Sequence, residues 1–295
     1  MTQKKHLNTI NQKAKIYLSK KIFFSLVELT MILAILSVLC SLLMPSLNKV
    51  MANQQTLKCA NNLKEINLAL EGFLNDHNDQ YPMPDDWLVT WDDQLGLYDG
   101  RDIAPSPIRN PTSGGFEVDN YAPGKFGLYL CPKDPSHSTG NEKKATRSYA
   151  ANQSAPSANT NGSLRGIISD IENYRTNNPS GRKERWSMHR VMIKQPSSTI
   201  ALTEIAPYGG KNHILGGNRQ DTVVPSKVRD SFQQHLDKGT LRHGNQGFMQ
   251  NYLMVDGSIK LLHLQETRGN VDKDMLTTTK NHINQTQGTL WDARK

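Results

Sequence analysis

The chain has 295 residues, with 35 Lys and Arg against 27 Asp and Glu and a formal net charge of +8. Six of those basic residues sit in the first 23 positions, so the remainder is close to neutral, and no basic patch is interleaved with aromatics there; this argues against nucleic-acid binding. Lys143-Lys144 and the run Arg182 to Arg185 read as solvated loop charges.

Residues 1–23 hold Lys4, Lys5, Lys13, Lys15, Lys20 and Lys21 and no Asp or Glu. Residues 24–45 follow, and from Phe24 to Leu43 Glu28 is the single charge. About twenty residues at a helical rise of about 1.5 Å span roughly 30 Å, the thickness of a hydrocarbon core. The basic flank predicts a single-pass topology in the cytoplasmic (inner) membrane. The N-terminus stays cytoplasmic, and the C-terminal domain is exported to the periplasm or cell surface. A secretory signal is disfavoured: the apolar run exceeds the usual h-region, and Met44 and Pro45 follow it rather than an Ala-x-Ala-like site. A charge within a membrane helix costs about 2.5–3.5 kcal/mol on insertion scales, so Glu28 is expected to have a partner or a task. The plainer alternative is a single-pass anchor with an incidental carboxylate.

The string Phe24-Ser-Leu-Val-Glu28-Leu resembles the prepilin N-terminal cleavage and methylation motif of type IV pilins and type II secretion pseudopilins. Pro45 stands where pilin helices carry a kink-forming proline. The resemblance implies cleavage between Phe23 and Phe24 by a prepilin peptidase and methylation of the new Phe24 amine. It also implies pairing of Glu28 with the N-terminal amine of a neighbouring pilin-like subunit during assembly. One departure is evident. The family carries Gly before the cut, where close backbone approach is needed, and this chain carries Phe23.

Beyond the span, Leu47, Val50, Met51, Cys59, Leu63, Ile66, Leu70 and Phe73 recur at steps of three and four. The helix is therefore expected to continue through residues 46–79 with one apolar stripe. The polar run Asn75 to Asp79, followed by Tyr81-Pro82, is the stop signal. A membrane helix plus a separate short helix is the alternative.

Residues 80–295 are expected to form one exported globular domain, α+β in class. The pilin-like layout is a long N-terminal helix packed on an antiparallel sheet with long loops. Strand candidates are Phe126 to Leu130, Arg190 to Ile193, Thr199 to Leu202, Tyr252 to Val255 and Ser258 to Leu264. The last two flank Asp256-Gly257, a strong hairpin signal. Ala104 to Gly115 and Ala150 to Ser163 are dense in Pro, Gly, Asn and Ser and read as surface loops. This half also resembles large pilin-like proteins of the planctomycete, verrucomicrobial and lentisphaeral type. Its landmarks are Cys59 to Lys64, Leu130 to Asp134, Arg147-Ser-Tyr149, Thr199 to Glu204, and Arg242-His243 followed by Tyr252 to Gly257. In that family a His precedes the Asp-Gly hairpin by about ten residues; here the interval is wider, with Gln246 to Gln250 as the apparent insertion.

Of three cysteines, Cys40 lies in the membrane span and reads as a small apolar residue. Cys59 and Cys131 both fall in the exported part, where disulfides persist, and a bond between them would be worth roughly 4 kcal/mol. Two buried thiols are the alternative. His213, His235, His243 and His263 lie near Glu204, Asp237 and Asp256, with no compact metal-ligand spacing. His243 and Asp256 are expected to meet beside the hairpin, as a structural hydrogen bond or a metal contact. Some pseudopilins hold calcium in a C-terminal loop, and Asp256 is the carboxylate that would serve; no other cofactor is expected. Trp87, Trp91, Trp186 and Trp291 offer either a carbohydrate platform or core packing.

Three function classes follow. The first is a pilin-like or pseudopilin subunit of a type II secretion or type IV pilus-like system, with the lipid bilayer, a prepilin peptidase and other pilin-like subunits as partners. The second is a membrane-anchored periplasmic or surface binding module for glycans that uses a pilin-type anchor. The third is an anchored hydrolase, for which the sequence holds no catalytic constellation, so no enzyme is expected.

Overall fold

The computed structural model describes residues 25–83, 90–102, 127–132, 147–154, 166–169, 187–204, 222–223, 243, 249–263, 266–268 and 288–295. By internal contacts the chain divides into two units, Met1–Met51 and Ala52–Lys295. Helix α1 (Leu26–Asp76) runs without a break from the first into the second, with Pro45 inside it.

In the first unit α1 is long and apolar enough to cross a membrane. Its Leu, Ile, Val and Met side chains are exposed all round, which is tolerable only in lipid or against other apolar surfaces. The few hydroxyls are satisfied within the helix. Thr30 donates to the Val27 carbonyl at 3.0 Å, Ser37 to Ala34 at 2.7 Å, Ser41 to Val38 at 2.7 Å and Ser46 to Leu43 at 2.8 Å. This is how polar side chains are accommodated where water is absent.

In the second unit α1 turns one face to a core. Cys59, Leu63, Ile66, Leu70 and Phe73 are buried as the periodicity predicts, joined by Asn62, Asn67, Ala69 and Leu74. The stripe does not extend to Leu47, Val50 and Met51, which are exposed in the first unit; a continuous period in the sequence does not imply a continuous partner. The helix stops at the expected place. Asp79 N–H reaches back to the Leu74 carbonyl at 2.9 Å, and Asn78 and Asp79 take positive φ of 53° and 61°, a conformation that Asn and Asp adopt at lower cost than other side chains.

Six strands occur among the described residues: β1 (Tyr149–Ser154), β2 (Ile168–Ser169), β3 (Ile200–Glu204), β4 (Thr222–Val223), β5 (Met249–Met254) and β6 (Ile259–His263). Their order is β2-β1-β3-β5-β6, with β4 also on β1. The body is antiparallel, β1-β3-β5-β6, with Tyr149 opposite Glu204, Thr203 opposite Tyr252 and Asn251 opposite Leu261. The chain is thus α+β. One sheet face contributes Tyr149, Ala151, Leu202 and Leu253 to the cluster that holds the α1 residues. The other places Ala150, Ile200, Tyr252 and Met254 against Trp291. In β1 and β5 this follows the period-two alternation of strands; β3 breaks it, since Ile200 and Leu202 fall on opposite faces. A register shift between Ile200 and Leu202 marks an irregularity in β3.

The β5–β6 hairpin forms where Asp256-Gly257 predicts it. It is a three-residue connection: Gly257 N–H donates to the Met254 carbonyl at 3.0 Å, Met254 N–H to the Ser258 carbonyl at 2.8 Å, and Gly257 has φ +79°. The turn is docked on α1, for a Cβ at Gly257 would lie 2.7 Å from Asn67 Nδ2. Gly257→Ala therefore combines left-handed strain of about 1–2 kcal/mol with a displaced Asn67. We expect it to lower the thermal midpoint of the detergent-solubilised chain by several degrees, whereas Ser258→Ala beside it lowers the midpoint less. Equal midpoints for Gly257→Ala and wild type would show that the turn is not seated on the helix.

Three local expectations are corrected. Residues Gly127–Tyr129 and Arg190–Met192 are 3-10 turns rather than strands. At the second, Arg190 is drawn to Glu71 and Asp79 at the end of α1, which folds the backbone tightly and leaves Val191 and Met192 exposed. At the first, Tyr129 is pulled inward to bond Asp99, and its carbonyl accepts from Ser148 N–H. The segment opening Ala150 to Ser163 begins not as a loop but as most of β1, a central strand. Its Ala150 and Ala151 fit closely between layers, and Asn152 donates to the carbonyls of Ile200 at 2.9 Å and Trp291 at 3.2 Å. Burial overrode weak strand propensity. Ala104 to Gly115 lies outside the described residues.

Candidate functional site

Two places hold the residues singled out by sequence. The first is the start of α1. Phe23 and Phe24 lie outside the described residues. Glu28 is exposed in the first turn, and its carboxylate accepts the Ser25 N–H at 2.9 Å, a favourable position against the helix dipole.

The second lies between α1, β3 and β5. Cys59 and Cys131 form a disulfide, with Cα atoms 5.2 Å apart across 72 residues. It ties α1 to the segment following the Gly127–Tyr129 turn. Beside it sits His243, fully buried. Its Nε2 lies 2.8 Å from Glu204 Oε2 and 3.7 Å from Cys131 Sγ, and its Nδ1 is 3.0 Å from Thr56 Oγ1. Glu204 is buried too, at the end of β3. Its other oxygen accepts from Asn251 Nδ2 at 2.8 Å, and the Asn251 backbone N–H lies 3.3 Å from Oε2. Asn251 spends its second amide hydrogen on the Thr56 carbonyl at 3.3 Å. Every polar partner comes from a different element, so the cluster fastens α1 to the sheet. A buried carboxylate in such a place needs hydrogen-bonding partners, and His243 and Asn251 meet that need.

His243 and Asp256 do not meet. His243 sits level with Thr56 and Cys59. The hairpin tip contacts Asn67, about 16 Å further along α1 at the helical rise. Asp256 instead accepts from Ser258 N–H at 3.0 Å and Ser258 Oγ at 2.6 Å. Burial alone would raise its carboxyl, but these bonds and nearby Lys260 hold it below the usual carboxylate range. Asp256 therefore caps its own turn. Among the described residues, the group of three or more His, Cys, Asp and Glu ligand atoms that converges is Cys59, Cys131, Glu204 and His243, all within 4.8 Å of one another. His213, His235 and Asp237 lie outside the described residues. Glu204 was recognisable as a charge continuing the inward alternation of Leu202; Thr56 and Asn251 carried no signal, since both read as ordinary polar surface.

A further buried polar cluster was not foreseen. Arg147 pairs with Asp92, both fully buried, and the Thr90 hydroxyl lies 2.6 Å from Asp92 Oδ1. Arg101 bonds Asp99 through Nε at 2.7 Å and lies over the Tyr129 ring, 4.4 Å from its centre. Burial pushes the Tyr129 phenol well above its usual range, so it stays protonated and donates to Asp99 at 2.7 Å. Each of these charges is faced by its opposite, Asp92 by Arg147 and Asp99 by Arg101, which suits a structural role. Trp91 and Trp291 are likewise fully buried, so neither presents a ring face to a sugar; Trp87 and Trp186 lie outside the described residues.

Comparisons with protein-family models, with curated proteins and with solved structures found no match for this chain.

Proposed function

We propose that this protein is a pilin-like subunit, held in the cytoplasmic membrane by the first half of α1 and assembling with like subunits through that helix. The observation that carries the reading is Glu28. It stands in the first turn of a helix that has no other charge before Lys49 and is apolar enough to span a bilayer. Among the described residues it accepts a hydrogen bond from the Ser25 backbone N–H, and a carboxylate so placed in lipid favours a cation beside it. The terminal amine of a neighbouring subunit, freed by a prepilin peptidase at Phe24, supplies one. The basic leader supports a cytoplasmic N-terminus and an exported domain.

The test is in native membranes. The N-terminal peptide is expected to begin at a methylated Phe24. Glu28→Gln is expected to leave the chain membrane-bound while reducing inter-subunit cross-links about tenfold, the scale of losing one charge-assisted bond. Undiminished cross-linking of Glu28→Gln would overturn the assembly role. A chain that keeps its leader would leave a permanent anchor, and the function would then lie in the exported domain.

A further inference from the structure

We propose that the Cys59–Cys131 disulfide is one of two states of this site, and that in its dithiol state the site binds a zinc ion through Cys59, Cys131, His243 and Glu204. Four observations carry this.

The donor set is complete. Two sulfurs, one imidazole nitrogen and one carboxylate oxygen lie within 4.8 Å of one another, all buried. Tetrahedral zinc, with bonds of about 2.3 Å to sulfur and 2.0–2.2 Å to nitrogen and oxygen, has ligand-to-ligand edges of roughly 3.2–3.8 Å. The Cys131 Sγ to His243 Nε2 distance of 3.7 Å is already such an edge. To reach such edges the bonded sulfur pair must part, and so must Glu204 Oε2 and His243 Nε2, which lie 2.8 Å apart.

The supporting groups are also in place. A zinc-bound imidazole ordinarily donates its other ring N–H to a fixed acceptor, and a bound carboxylate is held by a donor on its free oxygen. Here Nδ1 of His243 faces Thr56 Oγ1 at 3.0 Å, and Glu204 Oε1 accepts from Asn251 at 2.8 Å. Nε2 and Oε2, which face each other, are then the atoms that turn to a metal, Oε2 giving up the longer contact to the Asn251 backbone N–H at 3.3 Å.

The charge is suitable. Two thiolates and a carboxylate around a divalent ion leave one net negative charge, the same as a three-cysteine, one-histidine zinc site. Borderline-soft zinc also suits mixed thiolate, imidazole and carboxylate donors better than calcium or magnesium does.

The site is closed. With four protein ligands and full burial there is no open position for substrate, so the ion would be structural: it would keep α1 tied to the Cys131 segment and add β3 through Glu204.

The exchange balances. A dithiol reductant gives two electrons to the disulfide and becomes a disulfide itself, leaving two protein thiols. Zinc then displaces their two protons, and the hydrogen between His243 Nε2 and Glu204 Oε2 gives way to the metal, moving to Nδ1 of a neutral imidazole or to solvent from a protonated one.

The experiment uses the full chain in detergent, carrying Cys40→Ala so that only the two site cysteines remain. The protein is reduced without oxygen by a phosphine, which becomes its oxide and leaves no chelating dithiol, and is then titrated with cobalt(II) and with zinc. We expect one equivalent of cobalt to bind with a thiolate charge-transfer band and tetrahedral d–d bands, and zinc to displace it. The unreduced chain should show neither. X-ray absorption of the zinc form should give two sulfur and two nitrogen or oxygen neighbours. Asn251→Ala is expected to weaken zinc binding about 10–100-fold while keeping the thiolate band. No cobalt uptake by the reduced wild-type site, or uptake without a thiolate band, would overturn the proposal without any variant having to fold. So would equal binding before and after reduction.

Discussion

Arg147→Met is expected to lose about 3–5 kcal/mol of stability, on the order of 10 °C in the thermal midpoint, because it leaves the Asp92 carboxylate buried without its cation. Both side chains are fully buried. Among the described residues Asp92 Oδ2 has no hydrogen-bond partner, so the charge depends on Arg147 opposite Oδ1 and on the Thr90 hydroxyl. The pair itself need not be strongly stabilising, since the guanidinium also keeps Nε and Nη2 unbonded there. Desolvating both ions offsets much of their attraction. The discriminating measurement is therefore a double-mutant cycle by chemical unfolding. Arg147→Met and Asp92→Asn together should be far less damaging than the sum of the two singles, because no uncompensated charge remains. Additive losses would show that Arg147 acts through packing alone.

Trp291→Ala is expected to be comparably severe, about 3–5 kcal/mol, for a different reason. Trp291 covers the sheet face that α1 does not, with its ring edge-on to Tyr252 at 6.1 Å. Its indole N–H donates to Thr267 at 3.0 Å, and the Leu290 carbonyl beside it accepts the Ile200 N–H at 2.8 Å. Removing the ring opens a cavity and uncovers Tyr252 and Met254. Trp291→Phe keeps most of the apolar contact and loses the bond to Thr267, so it should cost a fraction of the alanine change. Near-ultraviolet circular dichroism during thermal unfolding separates the two. Similar midpoints for both variants would mean that the hydrogen bond, not the covering ring, matters.

What the sequence determined by itself was whatever depends on neighbours along the chain. From Leu26 onward the apolar run that ends at Leu43 is a helix of span length, because side chains without a charge other than Glu28 leave few other options. Cys59, Leu63, Ile66, Leu70 and Phe73 share a buried face because their spacing follows the helical period, and Asn75 to Asp79 ends the helix because those residues tolerate left-handed backbone. The β5–β6 turn lies at Asp256-Gly257 because Gly accepts φ +79°. The pairing of Cys59 with Cys131 was admissible from composition and compartment, but their closeness is a fact of the fold.

The tertiary structure alone decided the partners. His243 faces Glu204 and Thr56, not Asp256, because β5 runs antiparallel to β3 and carries the hairpin tip away along α1. Tyr149–Ser154 is a central strand despite its Ala, Asn and Ser content, because strands on either side and two layers above and below bury it. Residues 190–192 form a tight turn despite Val191 and the following Ile193, because Arg190 is held by Glu71 of α1 and by Asp79 just beyond it. In each case a local preference of under about 1 kcal/mol was outweighed by burial and charge pairing between residues far apart in the chain, and no local pattern encodes those.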